Sequence, residues 1–133
     1  MTARTPAIVA ALLTAVLVSS SHAVTPGRLV VEPPTLHCAG FHWEITEDHN
    51  GNASAKIGFR KIGEGQWRKG MDFMRVSVDG REYVAGSLFN LDPGTTYQAR
   101  CKLADPDGVE GEHHGHARRH LPASNSRRTS NLA

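Results

Sequence analysis

The segment from Leu91 to Arg100, with the sequence Leu-Asp-Pro-Gly-Thr-Thr-Tyr-Gln-Ala-Arg, constrains the fold of this chain more than any other. A turn containing Pro93 and Gly94 leads into a run in which Tyr97 begins an alternation of apolar and polar residues, as in a half-buried strand. In sandwiches of two antiparallel sheets, a tyrosine near the start of the sixth strand anchors the preceding corner through its hydroxyl group. The segment therefore predicts an all-β sandwich in which Pro93, Gly94 and Tyr97 form a structural corner.

Residues 1–23 have the pattern of a secretory signal peptide. Arg4 supplies a positive charge, Ala7 to Val18 form an apolar region, and Ser21 and Ala23 are the small residues that a signal peptidase reads. The apolar region is shorter than the roughly 20 residues that span a bilayer. We therefore expect cleavage, export to the extracellular space or periplasm, and no membrane contact afterwards; an uncleaved membrane anchor is the alternative.

The chain after the signal peptide is long enough for one domain and too short for two. Residues 24–110 hold 10 Lys/Arg and 12 Asp/Glu, whereas residues 111–133 hold four Arg and one Glu. Nucleic-acid binding needs a concentration of basic residues to neutralise phosphates, and the body of the chain shows none in its sequence. The charge balance therefore argues against nucleic acid as a partner.

Short alternating runs separated by turns rich in Gly, Pro and Asn account for residues 24–110. Phe41, Trp43 and Ile45 alternate with polar residues, which places Trp43 in the predicted core. The run from Ser54 to Arg60 has the clearest period of two, and an Asp-Gly pair at residues 79–80 predicts a type I′ hairpin turn. Six to seven short antiparallel strands are expected.

These residues resemble a fibronectin type III-like domain, a member of the immunoglobulin-like sandwiches. The resemblance is carried by Trp43, by Gly58-Phe59-Arg60-Lys61 with Gly65-Gln66-Trp67, and most specifically by Leu91-Asp92-Pro93-Gly94-Thr95-Thr96-Tyr97. Glu32-Pro33-Pro34-Thr35-Leu36-His37, Phe41-His42-Trp43 and Ala104-Asp105-Pro106-Asp107-Gly108 are similar to a narrower group. That group comprises sandwich domains that precede a right-handed parallel β-helix in secreted bacterial proteins; similar sandwiches precede metallophosphatase domains. The resemblance implies an accessory domain without catalysis of its own.

Cys38 and Cys101 are the only cysteines in a chain that bears an export signal. An even number of cysteines in an exported protein favours a disulfide, which would here join the second strand to the sixth and so link the two sheets. The alternative is a pair of free thiols that pack as small apolar side chains.

No seventh strand is evident after residue 108, and we expect residues 111–133 to be a disordered tail rich in His and Arg. His113-His114-Gly115-His116, read one base later in the gene, can encode Thr-Thr-Val-Thr, which is a strong strand sequence. This suggests the hypothesis that a frameshift near His113 replaced the last strand and truncated a longer protein. A natural small secreted protein with a basic tail is the alternative.

The sequence offers few candidate ligand-binding groups. The histidines of the tail at positions 113, 114, 116 and 120 suit Zn²⁺ or Ni²⁺, but they lie on one segment with no second shell, so adventitious binding is the preferred interpretation. Asp48, Asn50 and Asn52 resemble the opening of a calcium loop, yet they lack its later Gly and Glu, so a polar turn is expected. Trp67 on a short hairpin is a candidate for stacking on sugars.

No catalytic residue, cofactor site or metal site is predicted, because the sequence contains no nucleophile motif, phosphate-binding loop or paired carboxylates. We expect a secreted, non-catalytic β-sandwich module that adjoins or docks a neighbouring extracellular domain. A carbohydrate-binding module that uses Trp67 and a sheet face is one alternative, with polysaccharide as its partner. An inactive fragment of a polysaccharide lyase or a metallophosphatase is the other. The sequence does not indicate an oligomeric state.

Overall fold

The computed structural model describes residues 22–124 and confirms an all-β sandwich. Its strands are β1 (Thr25–Val31), β2 (Ala39–Thr46), β3 (Ser54–Lys61), β4 (Arg68–Lys69), β5 (Met74–Val78), β6 (Arg81–Leu88), β7 (Thr96–Ala104) and β8 (His114–His120). They form two four-stranded antiparallel sheets, with strand orders β1-β2-β6-β5 and β4-β3-β7-β8. No helix in this part of the chain could span a membrane. Residues 1–21 of the predicted signal peptide lie outside the described residues.

The core lies between the sheets because apolar residues alternate along the strands of both. In β2, Phe41, Trp43 and Ile45 are almost completely buried, while the residues between them face outward. The indole Nε1–H of Trp43 donates a hydrogen bond to the carbonyl of Gly27 over 3.1 Å, which satisfies the one polar group of this core side chain. In β7, every second residue from Tyr97 to Leu103 is buried in the same way. The two strands thus close the core from opposite sheets.

Backbone conformation confirms the predicted turn chemistry between β5 and β6. Asp79 and Gly80 have φ values of 50° and 74°, as a type I′ hairpin requires at both central positions. The turn fixes a register in which Val78 opposes Arg81 and Met74 opposes Ala85.

The corner before β7 is closed by hydrogen bonds from several directions. The backbone N–H of Asp92 donates to the hydroxyl of Tyr97 over 3.0 Å, and the N–H of Leu91 donates to the carbonyl of His37 over 3.0 Å. Gly94 adopts a φ of +62° that favours glycine, and its N–H donates to the carbonyl of Pro122 over 2.9 Å. The corner therefore ties the start of β7 to the segments that precede β2 and follow β8.

The expectation of a disordered tail is wrong for His114–His120, which form β8. This strand pairs with β7 from Lys102↔His114 to Thr96↔His120. It lacks a strong apolar alternation because its inward positions need little volume: a Cβ on Gly115 would lie 2.4 Å from Leu29 Cδ2. Leu121, which is completely buried, fills the core beyond the strand end. The frameshift hypothesis rested on a missing strand, and that reason no longer holds.

The predicted disulfide is absent, since Cys38 and Cys101 are free cysteines. The register explains the separation. Cys38 immediately precedes Ala39, which lies with Tyr97 around one small internal cavity at the corner end of the sandwich. Cys101 lies farther along β7, beyond Tyr97 and Ala99, which both line that cavity with Ala39. Burial raises the pKa of the Cys101 thiol to about 12, which suppresses the reactive thiolate.

Removal of the corner hydroxyl by Tyr97→Phe should lower the free energy of unfolding by about 1–2 kcal/mol, because the N–H of Asp92 loses its acceptor. Urea unfolding of the purified protein measures this change. Tyr83→Phe is the matched control, because Tyr83 points outward from the other sheet and has no hydrogen bond to its hydroxyl in residues 22–124. An equal loss in both variants would contradict an anchoring role for the Tyr97 hydroxyl.

Candidate ligand-binding face

The outward side of the β4-β3-β7-β8 sheet carries a concentration of basic side chains, here termed the cationic face. Strand alternation sends Ile57 and Cys101 into the core and therefore sends their neighbours outward. The pairing registers then set basic residues side by side. The rows across β3, β7 and β8 are Lys56–Lys102–His114, Gly58–Arg100–His116 and Arg60–Gln98–Arg118, and Lys69 of β4 opposes Gly58.

The cationic face contains no acidic residue in these rows. Within residues 22–124, no carboxylate lies within 4 Å of the charged groups of Lys56, Arg60, Arg100, Lys102 and Arg118. The nearest ion pairs are at the β4 edge, where Lys69 meets Asp72 at 3.3 Å. Like charges directly opposite each other on neighbouring strands are destabilising. The face therefore holds positive charge that the described part of the protein leaves uncompensated.

Trp67, which precedes β4, lies over this face between two arginines. The guanidinium carbons of Arg60 and Arg100 lie 4.4 and 4.2 Å from the centre of a Trp67 ring, within cation–π distance. Arg60 Nε also donates to Gln98 Oε1 over 2.9 Å. Stacking uses the faces of the guanidinium groups and leaves N–H donors at their edges, which suit carboxylate, sulfate or phosphate oxygens. The indole therefore positions arginines, and stacking of a sugar on Trp67 would have to compete with them.

A groove of about 660 Å³ lies on the cationic face above Gly58. Its walls include Lys56, Trp67, Arg100, Lys102, His114 and His116. A Cβ on Gly58 would lie 3.4 Å from Arg100 Nε and 3.6 Å from the carbonyl oxygen of Arg68. The Arg100 side chain therefore lies across Gly58, and the lack of a side chain on the glycine provides the space that Arg100 occupies.

The histidines of β8 contribute to the electrostatics of the groove. The pKa of His114 is lowered, first by desolvation and then by the nearby charges of His113, Lys102 and His116. His114 is therefore neutral at pH 7, and its protonation requires a more acidic solution or a nearby anion. No group of three metal-ligating residues occurs in residues 22–124. His114 and His116 are two strand positions, or about 6.6 Å, apart, and His120 lies four positions, or about 13 Å, beyond His116.

The candidate calcium loop is a structural turn. Burial tends to raise the pKa of Asp48, but hydrogen bonds from Arg75 and from the backbone N–H groups of Ala53 and Asn52 outweigh it, so the pKa is lowered. Asn52 Nδ2 donates to Asp107 over 3.2 Å, and Asn50 also contacts that carboxylate. These side chains join the turn after β2 to the turn after β7.

The cationic face is the functional feature that the sequence interpretation missed. The count of 10 basic and 12 acidic residues in residues 24–110 correctly describes the body but hides how the fold sorts the charges. Every polar position from Lys56 to Arg60 is Lys, Gly or Arg, and Arg100 and Lys102 repeat this on β7. A separate count of the charged residues on each face of each strand would have revealed this concentration of basic residues.

Reversal of one charge on this face should stabilise the protein. Lys102→Glu places a carboxylate opposite Lys56 and His114, so we expect a gain of about 0.5 kcal/mol in the free energy of unfolding at low salt, with a smaller gain at 1 M NaCl. Arg81→Glu is the matched control: Arg81 lies 3.8 Å from Glu44, so the same change should destabilise. A loss of stability in Lys102→Glu would contradict uncompensated repulsion.

Comparison with known proteins finds the fold but no family. No family model and no curated protein matches the chain. Solved structures that are similar include the sensor domain of the anti-sigma factor RsgI4 of Pseudobacteroides cellulosolvens, with 14% identity, a TM-score of 0.50, and coverage of 79% of this chain and 98% of that one. A computationally redesigned β-sandwich protein is 17% identical, with a TM-score of 0.51 and coverage of 74% of this chain and 95% of that one. The third fibronectin III domain of human KIAA0343 protein is 16% identical, with a TM-score of 0.51 and coverage of 82% of this chain and 90% of that one. At these identities the similarity establishes a fibronectin III-like sandwich fold alone.

Proposed function

We propose that this chain is a secreted, non-catalytic β-sandwich module that binds an anionic extracellular ligand through its cationic face. The observation that carries the proposal is the set of five cations without a carboxylate partner on one sheet face. An anion placed there would relieve the repulsion between directly opposed residues such as Lys56 and Lys102. The export pattern in residues 1–23 supports a ligand met outside the cytoplasm.

The same face supports binding in preference to catalysis. Its reactive groups are guanidinium, ammonium and imidazole side chains, which recognise anions by charge and by donated hydrogen bonds. Cys101 lies beneath the face, but its thiol is buried and its pKa is raised to about 12, so it does not supply a nucleophile. These side chains can recognise an oxyanion without a nucleophile or any other additional group.

A second candidate function, docking against a neighbouring domain, is favoured by the opposite sheet. Met71, Met74, Val76 and Phe89 line one surface depression there, and their exposed fractions are 60, 71, 40 and 51%. Clustered exposure of large apolar side chains is typical of contact surfaces. The resemblance to sandwich domains that precede β-helix or metallophosphatase domains supports an accessory role beside such a domain, whose catalytic activity this chain would lack.

Binding of a polyanion tests the first proposal directly. Isothermal titration at low salt should detect binding of polygalacturonate, a linear polymer of carboxylate-bearing sugars, and no binding of neutral dextran. The double variant Arg100→Gln/Lys102→Gln should weaken the affinity at least tenfold, and affinity should fall as NaCl screens the charges.

Arg81→Gln/Arg28→Gln is the control for this titration, because it removes the same formal charge on the β1-β2-β6-β5 sheet. The control should bind like the wild-type protein. Equal loss in both double variants would reduce the effect to net charge, and no binding of polygalacturonate, dextran sulfate or oligonucleotide by the wild type would refute the proposal.

A further inference from the structure

The groove above Gly58 is larger than the second depression on the cationic face, and several cations line it. Gly58 lies at its base beneath the Arg100 side chain, and Lys56 and Lys102 line its walls. None of these three cations has an ion-pair partner in residues 22–124. Lys69 stands on the remaining side, held by Asp72 at 3.3 Å. A carboxylate or sulfate group in the groove, beside the Arg100 side chain that lies across Gly58, would therefore meet donors from Arg100, Lys56 and Lys102.

The volume of the groove bears on the size of the ligand. About 660 Å³ is within the range of small-molecule sites, and it exceeds what one inorganic anion needs. A second depression of about 400 Å³, lined by Arg60, Gln98 and Arg118 with Trp67 between the two, continues along the sheet. The paired depressions suit successive units of an extended chain.

The two arginines in contact with Trp67 discriminate between classes of extended polyanion. Proteins that bind single-stranded nucleic acids usually stack bases on exposed aromatic rings. On this face, within residues 22–124, Trp67 is the aromatic side chain, and Arg60 and Arg100 both lie within cation–π distance of it. A polymer whose charge is carried on its rings, with no base to stack, needs only the edges of those guanidinium groups.

We propose that the groove above Gly58 is an anion subsite for an acidic polysaccharide, and that it seats the carboxylate or sulfate of one sugar while the chain continues past Trp67 toward Arg118. This inference rests on the proposed function of the cationic face, and it adds a defined position and a ligand class. His114 and His116 at the β8 wall provide imidazole N–H groups that can donate further hydrogen bonds to the same anion.

A steric variant tests the subsite without a change of charge. Gly58→Thr adds a side chain where Arg100 lies across Gly58, so it crowds Arg100 and the groove while keeping every formal charge, and its β-branched side chain suits a strand. Gly40→Thr is the matched control, since Gly40 faces outward from the opposite sheet, where a Cβ would lie 3.4 Å from Glu32 Cγ. Gly58→Ala adds only the Cβ and replaces Gly58→Thr in the titration if Gly58→Thr does not fold.

Titration with a tetragalacturonate and with a sulfated tetrasaccharide should show at least a tenfold loss of affinity in Gly58→Thr, a smaller loss in Gly58→Ala and none in Gly40→Thr. The saccharide that binds wild type more tightly identifies carboxylate or sulfate as the preferred anion. If Gly58→Thr and Gly58→Ala bind like wild type while Arg100→Gln/Lys102→Gln loses binding, ligand binding by the cationic face is supported and the subsite at Gly58 is refuted. Tighter binding of oligothymidylate than of either saccharide would overturn the polysaccharide assignment.

Discussion

The pairing of β3 with β7 is the interaction on which both the core and the cationic face depend. In the observed register Ile57 opposes Cys101 inside the sandwich, and Lys56 opposes Lys102 outside it. A slip of one residue would exchange the two faces, burying lysines and exposing the apolar residues. The buried partners therefore hold the exposed charges in place, and the corner at Tyr97 fixes where β7 begins.

The stability of the sandwich and the charge of its face oppose each other. Hydrophobic burial is strong at the centre, where Ile57, Cys101 and Leu103 are at most 2% exposed. Above them, directly opposed cations contribute repulsion that solvent and salt only partly screen. Arg60 and Arg100 reduce this repulsion locally by contact with Trp67, which supplies electron density and no negative charge. An anionic ligand is the one component that would remove the repulsion and use the free donors together.

The sequence predicted those features that local chemistry determines. The corner, the alternation around Trp43 and the Asp79-Gly80 turn each depend on residues close together in the chain. Strand β8 was not predicted because its own inward-facing residues are small and give no apolar alternation. The space above Gly115 is filled by Leu29, which is distant in the sequence. The disulfide prediction was wrong because it considered which strands carry the two cysteines but not how far along each strand they lie. Prediction of the cationic face also required the strand register, because the face contains residues from four strands.

The two tryptophans of the chain provide a direct test of the account. Each gives one indole N–H signal in a two-dimensional nitrogen–proton NMR spectrum; Trp43 donates to the carbonyl of Gly27 in the core, and Trp67 lies on the cationic face. During titration with tetragalacturonate, the account predicts that the Trp67 signal shifts in a saturable manner while the Trp43 signal stays in place. A spectrum in which neither signal moves, or in which both move together, would contradict ligand binding at the cationic face.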